Sequence, residues 1–377
     1  MRILIAIQSL APGGTERTLI NTLPQLVARG HTVGVVSLWP PYELEPELAA
    51  GGVRVHRLVG SHRWNIPQMG RQLAALCARE GYEVLHGKLY FAELSAAAAR
   101  LFRPQLKVTV SFHNLAHDYE HVPQLKRRAR AELEGALVRR LVHTYSAISS
   151  PVAEHFTRHL RIKDVQVIHN PIPVDAIVAE AETSTSPQVQ AARAEGSYLV
   201  VPARLSIEKG HRYLLQALAQ LARRGLRPQT YFVGRGPLAD DLRQEATTLG
   251  LADQVRILQD GLPHSECMAL MASAGAVVLP STHEAFGVAA AEGMALEVPV
   301  IASAVGGYLD VVEPEVSGLL VPAKDPARLA DALESIMSQP KLAERLAQGG
   351  HTRVRRAFDV DQIVDRWEDF YERTRNR

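Results

Sequence analysis

Two cysteines in 377 residues, Cys77 and Cys267, stand far apart and outside any C-x-x-C spacing. So sparse a set excludes a disulfide framework and fits a reducing compartment, with the cytoplasm as the expected location. His264 and Cys267 have i,i+3 spacing, but no second ligand pair stands nearby to complete a structural zinc site. No stretch approaches the roughly 20 apolar residues of a membrane-spanning helix. The opening MRILIAIQSLAPGG is apolar only briefly and lacks a cleavage pattern, so it reads as a first strand, not a signal peptide. G-x-G-x-x-G and the Walker sequence are both missing, which disfavours a nicotinamide dehydrogenase and a P-loop nucleotidase. There is no internal repeat and no low-complexity tract. Net charge is small, +2 overall, and no nucleic-acid partner is expected.

What is present is ample for two cores: 46% hydrophobic and 22% charged residues in a chain longer than most single domains. The small net charge hides an asymmetry. Through Asp175 there are 21 Lys and Arg against 14 Asp and Glu, a charge of +7, while the remainder carries −5. The first part is the better candidate for an anionic partner or surface.

Short β-rich runs alternate with amphipathic helical stretches. RILIAI, HTVGVVSL, EVLHG and KVTVSFHN read as strands, with helices over TERTLINTLPQLVARG and RQLAALCAREG. Pro24 predicts a bend or interruption in the first of these helices. Residues 176–196, polar and small, read as a linker between a domain at 1–175 and a second at 197–357. In the second, SYLVVPARL, QTYFVG, QVRILQD, AGAVVLP and VPVIAS are strands, and residues 358–377 form a terminal helix. Strand–helix–strand order predicts parallel sheets, an α/β fold.

Ligands of such sheets collect where strands lead into helices. LAPGGTER follows the first strand, and its Gly13-Gly14 turn opens a helix whose free N–H groups suit phosphate; turns also use glycine without a ligand. ARLSIEKG follows the first strand of the second domain, where Arg204 and Lys209 either clamp a diphosphate or lie solvated on a charged turn. In STHEAFGVAAAEGMALEVPVIASAVGG, Glu284 and Glu292 stand eight residues apart with no other charge between them. Acids in so apolar a segment need hydrogen-bond partners. Gly287 is placed to open a helix, with Glu284 in the loop ahead and the Phe286, Gly287 and Val288 backbone N–H groups beside it. That array suits a ligand rich in hydroxyls. The alternative is an ordinary surface acid and an ordinary helix acid. Asp359-Val360-Asp361 is the sole D-x-D, and Asp359 with Gln362 reads as a capping box rather than a metal site.

ARLSIEKG, VGRGPL and LPSTHEAFGVAAAEGMALEVPVIASAVGG together strongly resemble the C-terminal domain of the retaining glycosyltransferases of family four. Their E-x-F-G-x-x-x-x-E core is a specific signature. GG-T-E-R, SFHN, IHNPIP and the terminal helix extend the likeness over nearly the whole chain, more loosely in the first half. The resemblance implies a GT-B architecture, two Rossmann-like domains with parallel sheets facing a central cleft, and a terminal helix that returns to the first domain. It implies a nucleotide-sugar donor, a UDP- or GDP-sugar, and no metal or other cofactor. Glu284, with the Phe286, Gly287 and Val288 backbone, would hold donor-sugar hydroxyls, and Glu292 the ribose. Arg204 and Lys209 would stabilise the departing diphosphate, and Gly14 would let a loop approach it. His113, otherwise a satisfied structural histidine, would face the sugar. Relatives carry glycine before the Arg–Leu pair, where this chain has Pro202 and Ala203.

The acceptor is expected to be a glycan or a lipid-linked molecule, with Lys88 and Tyr90 as acceptor-side residues, in the synthesis of surface glycan or glycolipid. Residues 124–143 have helical apolar spacing and carry Lys126, Arg127, Arg128 and Arg130. They read either as a packed helix with a solvated basic face or as a peripheral contact with the anionic inner face of a membrane. Two competing functions share the architecture: a sugar-nucleotide epimerase, against which the signature argues, and a non-catalytic sugar-nucleotide-binding protein.

Overall fold

A computed structural model describes residues 1–58, 65–115, 124–184 and 186–377; within the helix that begins at residue 124, side chains are described only from 131 on, without 133. The chain divides into two compact units, Met1–Pro171 with Val360–Arg377, and Ile172–Asp359.

The first unit holds a seven-stranded, all-parallel sheet: β1 (Arg2–Ile7), β2 (Thr32–Ser37), β3 (Arg54–Arg57), β4 (Val84–Lys88), β5 (Lys107–Phe112), β6 (Thr144–Ala147) and β7 (Val165–Val167), in the order 3-2-1-4-5-6-7. The second holds six: β8 (Tyr198–Pro202), β9 (Gln229–Val233), β10 (Val255–Leu258), β11 (Ala276–Leu279), β12 (Val300–Ser303) and β13 (Leu319–Val321), in the order 10-9-8-11-12-13. Central strands such as β1 and β11 are buried on both faces, which is why they read as continuous Ile, Leu, Val and Ala runs rather than alternating ones. Both orders reverse once, between β1 and β4 and between β8 and β11. At such a switch point neighbouring loops diverge and leave a crevice at the carboxyl ends of the strands.

Two expectations are corrected. The helix Gly14–Ala28 runs through Pro24 without interruption. The proline ring lies against Gly51, where a Cβ would come within 2.5 Å of its Cγ. Residues 176–196 are no linker either. They form the helices Val174–Thr183 and Pro187–Ala194, integral to the second unit, which begins at Ile172 rather than 197. Ile177 and Ala181 on one, and Val189 and Ala192 on the other, lie buried at i,i+4 and i,i+3 spacing against the helix His264–Ala272.

The terminal helix Val360–Asn376 belongs to the first unit. Ile363, Val364, Trp367, Phe370 and Tyr371 sink into its core. Buried His86 on β4 ties the helix to the sheet, its Nδ1 2.8 Å from the Tyr371 hydroxyl and its Nε2 2.6 Å from Ser111 Oγ on β5. Among the described residues no helix is long and apolar enough to cross a membrane.

Candidate functional site

The loops after β8 and β11 meet at the switch point of the second sheet. After β8 the chain turns through Ile207–Lys209 into the helix His211–Arg223, and Gly210 allows the turn with φ +68. A Cβ there would lie 2.0 Å from the Pro280 carbonyl oxygen just after β11. The carbonyl of Glu208 accepts the Thr282 N–H at 2.8 Å, so the two loops are stitched through backbone. This approach brings together residues 75 positions apart: Lys209 Nζ donates to Glu284 Oε2 at 2.8 Å, with the two side chains only 18% and 16% exposed.

Two donors meet on the Glu284 carboxylate: Lys209 on Oε2, and the Ala285 N–H, which reaches Oε1 at 3.1 Å. The buried Tyr308 hydroxyl lies 3.3 Å from Ser281 Oγ, within the field of that carboxylate. Burial, and then the Glu284 charge, push the Tyr308 hydroxyl far above its ordinary value, so it remains a donor. From the loop after β12, the Gly307 N–H donates to the Glu284 carbonyl at 3.0 Å. Glu284 is thus fixed at backbone and side chain.

Gly287, at φ +106, caps the helix Val288–Ala295; a Cβ there would strike the Tyr308 ring at 2.6 Å. The helix opens on N–H groups without intrahelical acceptors at Gly287 and Val288, next to Glu284. Phe286 contributes backbone only, since its ring is buried against Phe358. Glu292 lies within that helix, its carboxylate 3.4 Å from His264 Nε2, while His264 Nδ1 is 2.7 Å from Glu180 Oε2. Arg204, 73% exposed, pairs with Glu208 at 2.9 Å rather than joining Lys209.

In the first unit, Gly14 begins its helix and a Cβ there would meet nothing within 4 Å, whereas the neighbouring Gly13 lies against the Glu16 carboxylate. Lys88 ends β4 and His113 follows β5, both buried. Burial lowers the Lys88 ammonium to about 7, and its Nζ lies 4.6 Å over the Trp367 ring. Among the described residues both ring nitrogens of His113 are buried without a hydrogen-bond partner, and burial, then Lys88, hold the ring neutral. Tyr90 starts the next helix after Leu89, a non-glycine residue at φ +70. The side chains of Lys126, Arg127, Arg128 and Arg130 lie outside the described residues.

Sequence reasoning missed Tyr308 and the Glu180–His264–Glu292 chain. Tyr308 directly follows the Gly306-Gly307 pair that closes the signature segment, which was the available signal. His264 drew notice only as a metal ligand. Hydrogen bonding to Glu292, and then to Glu180, raises its pKa to about 9. A raised pKa contributes stability in full below the ordinary 6.5 and loses it as pH rises through about 9. Wild type is therefore expected to lose urea resistance between pH 7 and 10, and His264→Gln to lose the His264 share of that dependence. Cys267 and Cys77, both pushed from 9.0 to about 12 by burial, add a loss of their own from about pH 9 in both proteins, so the His264 share is read as the difference between the two slopes. An equal slope in both proteins would remove His264 as its source.

Two Rossmann-like parallel-sheet units of this kind define the GT-B class of α/β protein. Residues 182–353 match the model of the Glycosyl transferases group 1, and residues 12–176 that of Glycosyltransferase Family 4. Only residues 1–11, 177–181 and 354–377 fall outside the two matches, and the chain belongs to this glycosyltransferase family. D-inositol 3-phosphate glycosyltransferase of Frankia alni is 40% identical over 164 residues, 41% of this chain and 40% of that protein. Alpha-D-kanosaminyltransferase of Streptomyces kanamyceticus is 36% identical over 146 residues, 38% and 37% of the two chains. The match thus spans about two fifths of the length of these curated relatives. Solved structures align over the full chain. Sucrose-phosphate synthase from Thermosynechococcus elongatus has a TM-score of 0.74 at 25% identity, over 99% of this chain and 98% of that one. Anabaena HepE, solved in complex with UDP and glucose, has a TM-score of 0.79 at 21% identity, over 99% of each chain.

Proposed function

We propose that this protein transfers a sugar, with retention of anomeric configuration, from a UDP- or GDP-sugar to a hydroxyl of a glycan or lipid-linked acceptor. The observation that carries the reading is the Lys209–Glu284 pair, held at a switch point by the Gly306–Gly307 turn. A fixed carboxylate next to open helix N–H groups can accept from and donate to sugar hydroxyls. Lys209, with Arg204 at the rim, supplies positive charge where the diphosphate gains negative charge as the sugar–oxygen bond breaks. The acceptor oxygen forms the new bond from the same face, and its proton goes to a phosphate oxygen of the leaving group. No covalent carboxylate intermediate is then needed, in contrast to retaining glycosidases. Glu292 takes the ribose hydroxyls. With protein cations on the diphosphate, activity should survive EDTA. UDP as the nucleotide is supported by HepE, which has been solved with UDP. A role in surface glycan synthesis at the cytoplasmic face of a membrane fits the positive first part of the chain.

The test is nucleotide release from a panel of UDP-, GDP- and ADP-sugars, with and without lipid extract, with products separated by chromatography. Acceptor-dependent release from one donor, with a new glycoside, is the expected result. An epimerised donor without release, or donor binding without any product, would overturn it.

A further inference from the structure

The amino-terminal end of the first sheet, opposite Lys88 and His113, carries a second feature, outside everything assigned above. A cavity of about 270 Å³ opens at the amino-terminal ends of β4 and β5, lined among others by Glu83, Arg103, Lys107 and Arg375. Arg103 follows the helix Tyr90–Phe102, Lys107 opens β5, and Arg375 lies in the last turn of the terminal helix. None of these three cations has an ion-pair partner among the described residues. Among the described residues the Nε and Nη1 atoms of Arg103 are buried and without an acceptor. Three cations around a single carboxylate leave the lining with an excess of positive charge, which suits an anion. Glu83, the one carboxylate in the lining, is engaged with the backbone N–H of Arg2 at 3.0 Å. The surrounding field is also positive. Burial and the charges of Arg100, Lys107 and Arg377 hold nearby His143 down at about 4, although a backbone hydrogen bond at Val108 pulls the other way.

We propose that this cavity is a binding site for a phosphate monoester, held by the Arg103 fork with Lys107 and Arg375. A guanidinium fork matches two phosphate oxygens, and two further cations balance a dianion. At about 270 Å³ the cavity suits a small phosphorylated group rather than a nucleic-acid strand. The six residues of β5, at about 3.3 Å each, put it roughly 20 Å from His113, so its ligand does not compete with the sugar donor. Such a monoester comes either as a free metabolite or as a lipid headgroup. Leu101 and Phe102 beside Arg103 are 61% and 48% exposed, which makes the lipid source worth a separate arm.

The experiment uses the full chain, as wild type, Arg103→Gln and Lys107→Gln/Arg375→Gln. One arm follows the melting temperature against inorganic phosphate and glycerol 1-phosphate, with sodium chloride holding ionic strength constant. The other measures co-flotation with phosphatidylcholine vesicles, with and without phosphatidic acid. A saturable stabilisation by the soluble esters, weakened about tenfold or more in both variants, supports a free metabolite. Flotation that requires phosphatidic acid and is lost in both variants, without a soluble response, supports the headgroup. Should Arg103→Gln fail to fold, the double variant decides, because Arg375 is exposed and Lys107 half-buried. Equal responses in wild type and variants, or none beyond that of chloride, overturn the site.

Discussion

Lys209→Met and Glu284→Gln are each expected to lower sugar transfer by about 10²- to 10³-fold, the range for removing one preorganised charge contact at a reacting centre. Each single change should also cost about 1–3 kcal/mol of stability. Either leaves one member of a pair at 2.8 Å, mostly shielded from water, without its counter-charge. The double variant separates structure from chemistry. With both charges gone no uncompensated ion remains, so urea unfolding should return most of the lost stability. Transfer should not return, because neither the ammonium near the diphosphate nor the carboxylate near the sugar is restored. Activity that recovers along with stability would reduce the pair to a structural ion pair and remove the observation on which the proposed function stands.

Local pattern and spatial meeting were unequally legible in the sequence. Long apolar runs such as RILIAI and AGAVVLP declared their strands because parallel strands bury both faces. β3, β6, β7 and β13 went unread. They are three or four residues long, and TYSA owes its place to polar pairs: Thr144 with Thr109 at 3.0 Å and with Thr374 at 2.6 Å. No hydropathy pattern announces hydroxyls that satisfy one another in a core. The linker reading of 176–196 failed for a related reason, since alanines at helical spacing bury as well as leucines do where a partner helix comes close. At the site, Glu284 and Lys209 were legible because each stands in a short motif at a strand end. Their mutual bond was not, nor was the approach of Gly307 to the Glu284 carbonyl or of His264 to Glu180. These contacts join loops after β8, β11 and β12, or a helix and a residue 84 positions away. They depend on strand order, which a single sequence does not state.

The Gly-Gly turn after β12 gives the second large effect. Gly306 adopts φ +52, and a Cβ there would sit 1.8 Å from the Glu284 carbonyl oxygen and 2.9 Å from its carbon. Gly306→Ala must therefore displace one loop or the other. The Glu284 carbonyl also accepts the Gly307 N–H at 3.0 Å, so displacement breaks the bond that fixes the acid's backbone. Gly250→Ala is the matched control. Its φ is +71, but a Cβ there meets nothing within 4 Å, so it carries the left-handed strain alone, about 1 kcal/mol. Gly306→Ala is expected to lose about 2–3 kcal/mol more than this control in urea unfolding, for the lost backbone bond and the strained contact. Transfer should fall at least about 10²-fold, as an ångström of misplacement at a reacting group does. Gly250→Ala should keep its activity. Equal losses of stability in the two variants would mean that the turn yields freely, and that close approach at Gly306 does not hold Glu284 in place.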